Sequence, residues 1–338
     1  MHLRAFIRLG RPQYLFKSAL LYSLGATVAL IGHHRISIGW YAFGQLFVSC
    51  VHLMTHYCNE YFDLEADRAN HGRAGVTGGS RVLADGILAP DVSLGAGFIL
   101  LFVGVALLIG MPSGAARWMC CAILVLGWFY TAPPFKFNHR SMGELCSMVV
   151  IDVLCPVLAF YLQAGTVDSL LLMVLLPNCI VQYSYMMMMN LFDYEGDRAA
   201  GKRTLVVALG PATAARMYVF SHLLAYASVI ALWWAGLPGS VVLTIGLTVP
   251  HSLWLCRQVS SGAHRGLLTK SRVAFSAAAY TMVVAVATNI GLLLSPRIDW
   301  SRFNSADGRA LCVTVTFVCT AWLMATAWTK TRVSRQTE

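Results

Sequence analysis

Long apolar segments recur along the whole chain and restrict the fold more than any other feature. A helix that crosses a bilayer needs roughly 20 predominantly apolar residues. Segments of about that length run over residues 14–32, 39–60, 93–111, 117–132, 145–163, 169–190, 212–235, 239–256 and 273–294, with a tenth at 309–329. Only 12% of the 338 residues are charged, about half the share of a soluble chain. These features exclude a soluble globular fold and predict an all-α integral membrane protein.

The basic residues are distributed unevenly between the connecting segments. If the N-terminus is cytoplasmic, 20 of the 25 Lys and Arg residues fall on that side, as the positive-inside rule expects. The net charge of +10 is therefore an orientation signal, and it places the N-terminus on the cytoplasmic side of a multi-pass protein. Because no basic domain stands free of the apolar segments, we expect no nucleic acid binding.

Acidic residues are few and are concentrated in two related windows. Seven of the 15 Asp and Glu residues lie in the windows 59–69 and 190–199. A shift of 130 positions places the D-x-E-x-D-R-A pattern that begins at Asp63 on the one that begins at Asp193. This match predicts a duplicated unit in which each copy ends a helix with the same group of acids. The distribution of basic residues places both acidic windows on the cytoplasmic side.

The spacing of the acids favours a divalent cation. Asp63 and Asp67 are four positions apart, as are Asp193 and Asp197, so each pair lies on one helical face. Mg²⁺ prefers oxygen ligands and is commonly held by carboxylates together with substrate phosphates, while Arg and Lys bind further phosphate oxygens. Two such clusters facing each other would hold one diphosphate. The alternative is a pair of ordinary charged helix ends at the membrane surface.

Polar residues within the apolar segments suggest an internal cavity. Residues at helical spacing precede both acidic windows, namely His52, His56 and Asn59 in the first and Gln182, Met186 and Asn190 in the second. Polar groups in membrane helices usually face a cavity or the bundle interior. Asp152 lies in the middle of the segment 145–163 and has two interpretations. It either acts on an acceptor or a cation, or it forms a structural pair with another helix.

These windows resemble the motifs of the UbiA superfamily of intramembrane prenyltransferases. The first is similar to the pattern N-x-x-x-D-x-x-x-D, with Glu60 in place of the usual Asp, and the second to D-x-x-x-D. The stretch 197–205 and the loop from Tyr130 to Lys136 look like the MenA-like (1,4-dihydroxy-2-naphthoate prenyltransferase-like) branch. Many members have three residues between that Tyr and Lys, whereas five are present here.

The resemblance implies a nine-transmembrane-helix bundle with a central cavity over residues 1–295. The bundle would consist of two related halves, at about 11–140 and 141–270. The segment 296–338 would be an accessory region with a polar loop, a tenth transmembrane helix and a basic tail.

The resemblance also implies a set of site residues. Those expected to hold Mg²⁺ are Asn59, Asp63, Asp67, Asp193 and Asp197. Further candidates for binding an isoprenyl diphosphate are Arg68, Asn190, Arg198, Lys202, Arg203, Arg81, Lys136, Tyr130 and His56. The four motif aspartates, Lys136 and Asp152 are the candidate catalytic residues.

Two chemistries are compatible with this site. In a Mg²⁺-dependent prenyltransferase, an isoprenyl diphosphate ionises, diphosphate leaves and an aromatic acceptor (a quinone precursor or a phenol) takes the prenyl group. In a UbiA-type terpene cyclase, the same cation is captured by its own double bonds and no acceptor is used. Both share every metal ligand, and the MenA-like features favour the transferase. A transporter with inverted repeats is disfavoured, because both acidic windows follow even-numbered helices and share one orientation.

Overall fold

The computed structural model describes residues 2–32, 35–70, 77–262, 267–297 and 305–335. This part of the chain is helical, and apart from an isolated bridge between Arg140 and Arg203 it contains no β-structure. Its α-helices are α1 (His2–Leu9), α2 (Leu15–Ile31), α3 (Ile38–Phe62), α4 (Leu64–Ala69), α5 (Pro90–Ile109), α6 (Gly114–Phe129), α7 (Gly143–Met148), α8 (Cys155–Ala164), α9 (Ser169–Phe192), α10 (Tyr194–Ala199), α11 (Leu205–Leu209), α12 (Pro211–Trp234), α13 (Gly239–Gly246), α14 (Val249–Ser260), α15 (Leu267–Leu293) and α16 (Ala306–Arg335).

Helix α2 lies at the centre of the bundle. All of its residues from Lys17 to Ile31 except Ala19 are buried, and it contacts α3, α8 and α15. The outer helices instead expose large apolar side chains such as Phe102, Trp118 and Trp234. Apolar surface of this extent on many helices is typical of a protein that faces lipid.

The helices agree with the predicted apolar segments, but the predicted number of spans is not confirmed. By length and hydropathy, six helical stretches among the described residues qualify, and seven do if the bent pair α13–α14 forms one span. Helix α6 is apolar but shorter than these. The structure therefore supports a multi-pass membrane protein, while nine spans and the cytoplasmic placement of the N-terminus stay predictions.

Two segments expected to be single helices are interrupted. Residues 239–256 form α13 and α14, which meet at an angle of 43°. Pro250 lies in the first turn of α14, where its ring and missing N–H prevent a continuous helix. Residues 145–163 contain a π-helical stretch, Val149–Leu154, between α7 and α8. This stretch contains Asp152 and ends at Leu154. Pro156 follows in the first turn of α8 and has no N–H to donate to the preceding turn.

The two acidic windows have the same backbone structure. Helices α3 and α9 end at Phe62 and Phe192, and the following residues, Asp63 and Asp193, both have φ −97° with ψ near 0°. Each is followed by a helix of six residues, α4 or α10. The backbone N–H of Asp67 donates to the carbonyl of Asp63, so the two acids of a window are one helical turn apart.

Candidate functional site

A cavity between α2, α3, α6, α7 and α9 ends at the two acidic helix ends. Of the predicted site residues, those that line it are Asn59, Asp63, Asp67, Asp193, Asp197, Asn190, Lys202, Tyr130 and His56. Below the acids the lining becomes largely apolar, with Val48, Val51, Ile123, Leu126, Ile151 and Met186. The packing of the bundle thus joins a charged end to an apolar chamber.

Lys202 connects the two acidic helix ends. Its ammonium lies 2.8 Å from Oδ2 of Asp63 and 3.5 Å from Oδ1 of Asp197. The other oxygen of Asp63, Oδ1, is 2.6 Å from Nε2 of His139. Although burial disfavours the charged carboxylate, Lys202 and His139 hold the pKa of Asp63 below its usual value. Asp63 is therefore an ionised, fully compensated acid.

Asp193 is held by the other half of the chain. The side-chain amide of Asn70 donates to its Oδ1 at 2.6 Å, and the backbone N–H of Gly78 donates to its Oδ2 at 3.3 Å. Burial nevertheless raises the pKa of Asp193, although hydrogen bonds from Thr77, Gly78 and Asn70 and the charge of Lys202 oppose this shift.

The negative charges of Asp67 and Asp197 are only partly compensated by neighbouring cations, which favours the binding of a divalent cation. Burial, reinforced by the neighbouring carboxylates, raises the pKa of each to about 7 despite the opposing charges of Arg11 and Lys202 respectively. Oδ2 of Asp197 is buried and has no hydrogen-bond partner among the described residues. In the same part of the chain, no three His, Cys, Asp or Glu side chains are placed to hold one ion by themselves. The cluster therefore suits a cation that also takes ligands from a substrate.

Gly79 fits closely against Asp67. Its φ of +71° lies in the left-handed region, and a Cβ at this position would overlap the carboxylate of Asp67. The glycine-rich turn at residues 77–81 therefore approaches an acid of the first window through a residue without a side chain.

Glu60 anchors the same turn, a role that the sequence did not suggest. It accepts hydrogen bonds from the backbone N–H and the hydroxyl of Ser80, each at 2.6 Å. Its other partner is Arg11, whose Nε donates at 2.7 Å. An Asp at position 60 would have a shorter side chain and would reach less far toward Ser80 and Arg11. The departure from the family motif at Glu60 therefore has a structural reason.

Several predicted diphosphate ligands do not line the cavity. The side chains of Arg68, Arg198 and Arg203 are exposed. Arg81 donates to the backbone carbonyl of Asp67 at 2.6 Å and forms an ion pair with Asp85. Lys136 is half-buried in a left-handed conformation and also lies outside the cavity lining. Their assignment to the diphosphate stays a prediction.

Asp152 has a partner on another helix. Its carboxylate is fully buried and lies 3.4 Å from the ammonium of Lys17, and only Lys17 of the two lines the cavity. This geometry agrees with the structural pair, the second of the two interpretations. Lys17 could have been found from the sequence, since it is a cation inside an apolar segment and such a charge needs an opposite one.

Comparison with known proteins connects this geometry to a family. Residues 19–278 match the family model described as the UbiA prenyltransferase family. A "1,4-dihydroxy-2-naphthoate octaprenyltransferase" of Bacillus subtilis is 24% identical over 250 residues, covering 72% of this chain and 78% of its own. The fold is similar to the apo structure of a UbiA homolog from Aeropyrum pernix, with a TM-score of 0.62 and 18% identity over 82% of this chain and 97% of that one. It is also similar to a UbiA homolog from Archaeoglobus fulgidus bound to GPP and Mg²⁺, with a TM-score of 0.58 and 17% identity over 84% and 99% of the two chains.

Proposed function

The chain belongs to the UbiA prenyltransferase family, and from this premise we propose that it is a Mg²⁺-dependent enzyme that transfers the prenyl group of an isoprenyl diphosphate to an aromatic acceptor. Diphosphate is the leaving group. The name of the Bacillus subtilis relative supports a hydroxylated aromatic acid as the acceptor. The bound GPP and Mg²⁺ of the Archaeoglobus fulgidus homolog support the donor and the cofactor.

The observation that carries the proposal is the convergence of two repeated acidic helix ends on one apolar cavity. Asp63, Asp67, Asp193 and Asp197 all line the same end of it. These four acids outnumber the cations Lys202 and Arg11 that oppose their charges, so divalent cations are the natural partners of this cluster. The chamber below them offers space for an apolar chain rather than for water.

The residues around the acids have separate tasks in such a reaction. Mg²⁺, when bound, would neutralise charge on the departing diphosphate. Lys202 is placed to donate to a phosphate oxygen, because its ammonium already lies between two carboxylates at the cavity end. The apolar lining excludes water from the allylic cation, and the aromatic faces of Tyr130 and Tyr185 line the cavity near the acids.

Purified protein, Mg²⁺, geranyl, farnesyl or geranylgeranyl diphosphate, and 1,4-dihydroxy-2-naphthoate would test this function. We expect a prenylated aromatic product that requires both the metal and the acceptor. Asp63→Ala and Asp193→Ala should abolish it, whereas Asp91→Ala, a matched change at an exposed acid in the first turn of α5, should not. Full activity of both site variants would refute the metal-site assignment.

The same assay without an acceptor distinguishes the terpene cyclase. A cyclic hydrocarbon or alcohol formed only by active protein, with no prenylated aromatic compound in the complete mixture, would refute the transferase proposal. Product formation that begins only when the aromatic acid is added would exclude the cyclase.

A further inference from the structure

One side of the cavity is polar well below the carboxylates. We call this side the polar wall, and its residues are Lys17, Ser18, His52, His56 and, on α9, Gln182. His52 lies eleven positions before Asp63, which is about 16 Å along α3 at 1.5 Å per residue. Gln182 lies at the same distance before Asp193 on α9. His52 and Gln182 are therefore separated from the acids by enough depth for a diphosphate and an aromatic ring.

The hydrogen bonds of His52 leave one ring nitrogen as an acceptor. Nδ1 of His52 lies 2.8 Å from the hydroxyl of Ser18, and that hydroxyl donates its only proton to the carbonyl of Leu15 at 3.0 Å. Ser18 must then accept from Nδ1–H of His52. In the neutral ring this fixes Nε2 as an unprotonated acceptor.

Lys17 brings a donor to the same wall. Its ammonium is 3.4 Å from the buried carboxylate of Asp152, which lies behind the lining. The ion pair makes a cation tolerable at this depth and holds it at the cavity surface.

Two polar atoms of the wall lack partners. Oε1 of Gln182 and Nε2 of His56 are buried without a hydrogen-bond partner among the described residues. Gln182 is only 1% exposed, and its Nε2 already donates to Ser147 at 3.0 Å.

An isoprenoid chain cannot satisfy these groups. It has no hydrogen-bonding atom, and buried polar groups without partners are costly. The apolar part of the lining, with Ile123 and Leu126 on α6, suits the chain instead. A ligand for the polar wall must carry an oxygen that both accepts and donates, as a hydroxyl does.

Building on the proposed function, we propose that the polar wall binds a ring hydroxyl of the aromatic acceptor. Lys17 donates to the hydroxyl oxygen, and Nε2 of His52 accepts its hydrogen bond. Asp152 is a positioning residue, because it touches Lys17 and not the ligand. The wall thus holds the ring at the polar residues and leaves the apolar part of the lining to the prenyl chain.

Binding rather than turnover tests this site. The dissociation constant of 1,4-dihydroxy-2-naphthoate is measured by calorimetric titration of the full chain in detergent, with Mg²⁺ and unreactive geranyl thiodiphosphate. His52→Asn keeps a polar atom near the Nδ1 position and loses the Nε2 acceptor. His52→Gln keeps a polar atom near the Nε2 position and loses the one at Nδ1. We expect binding to weaken about tenfold or more in His52→Asn, in line with one lost hydrogen bond, and much less in His52→Gln.

The chain offers a matched control. His222 is also buried and also contacts a serine hydroxyl through Nδ1, at 2.7 Å from Ser252, but it does not line the cavity. His222→Asn should leave the dissociation constant unchanged. Lys17→Met combined with Asp152→Leu replaces the ion pair without leaving a buried charge, and it should weaken acceptor binding while geranyl thiodiphosphate still binds.

Ligand analogues complete the test. 1-Hydroxy-2-naphthoate and 4-hydroxy-2-naphthoate each lack one of the two ring hydroxyls. The analogue that lacks the hydroxyl bound by the polar wall should have the same dissociation constant for wild type and for His52→Asn. The proposal is overturned if all variants bind the dihydroxy compound as wild type does, or if wild type does not bind it. Binding that depends on His52, together with an absence of prenyl transfer, would support the site and refute the proposed function.

Discussion

Removal of the cation between the two acidic helix ends should destabilise the protein strongly. Lys202 is 8% exposed, and its partners Asp63 and Asp197 are each 4% exposed. Breaking a buried ion pair by removing one partner costs about 3–5 kcal/mol. Asp63 keeps its contact with His139 at 2.6 Å, so we expect Lys202→Met to lower the free energy of unfolding by about 3 kcal/mol, the lower end of that range.

The assay is denaturant unfolding of the purified protein in detergent with EDTA. The matched control is Arg203→Met, which changes the neighbouring basic residue, whose side chain is exposed. Adding Asp63→Asn to Lys202→Met should restore part of the loss, since it removes one of the uncompensated charges. Mg²⁺ should stabilise Lys202→Met more than wild type, because the ion replaces the missing positive charge.

Two results would refute the argument that Lys202 compensates the cluster. One is an unfolding midpoint of Lys202→Met in EDTA equal to that of wild type. The other is a double variant with Asp63→Asn that is less stable than Lys202→Met alone. Either result would mean that the ammonium and the carboxylates are compensated by water rather than by each other.

The remaining predictions concern the turn and the titration of the acids. Gly86→Ala should lower the free energy of unfolding by about 1–2 kcal/mol through its positive φ alone, since nothing lies within 4 Å of its Cβ position. Gly79→Ala should in addition lose Mg²⁺-dependent turnover, because its Cβ would overlap the carboxylate of Asp67. Equal turnover in both variants would contradict this. In EDTA the free energy of unfolding should fall as the pH rises from about 4 to about 7, because folded Asp67 keeps a proton that the unfolded chain has lost. In denaturant titrations at several pH values, Asp67→Asn should make the free energy of unfolding depend less on pH. Glu60→Ala should accelerate tryptic cleavage in the turn 77–81, and an unchanged cleavage rate would show that Glu60 does not anchor it.

The sequence predicted the features that depend on local pattern. The apolar segments appear as helices because their length and composition leave no alternative in a membrane. The breaks at Asp63 and Asp193 were also predictable, since the same pattern of acids recurs after 130 residues. The interruption at Pro250 could have been predicted from the residue itself, because Pro disfavours a continuous helix.

The partners of the acids were not predictable in the same way. His139, Asn70 and Arg11 look like ordinary polar residues of loops and helix ends, and nothing in their neighbourhood points to Asp63, Asp193 or Glu60. Their contacts arise only when helices distant in sequence pack together. Conversely, exposed arginines such as Arg68 and Arg198 were prominent in the sequence because they belong to the repeat, although the cavity does not include them.

The repeat suggests two equivalent clusters, but the structure makes them unequal. Asp63 pairs with the cation Lys202 of the second half, whereas Asp193 accepts from the neutral donors Asn70, Thr77 and Gly78 of the first. Position 72, which corresponds to Lys202 after the shift of 130, is a glycine. The pKa of Asp63 is accordingly lowered and that of Asp193 raised. Because Asp63 and Asp193 each take a partner from the other half of the chain, the site as described needs both halves, and the position of Lys202 makes the first acids of the two windows unequal.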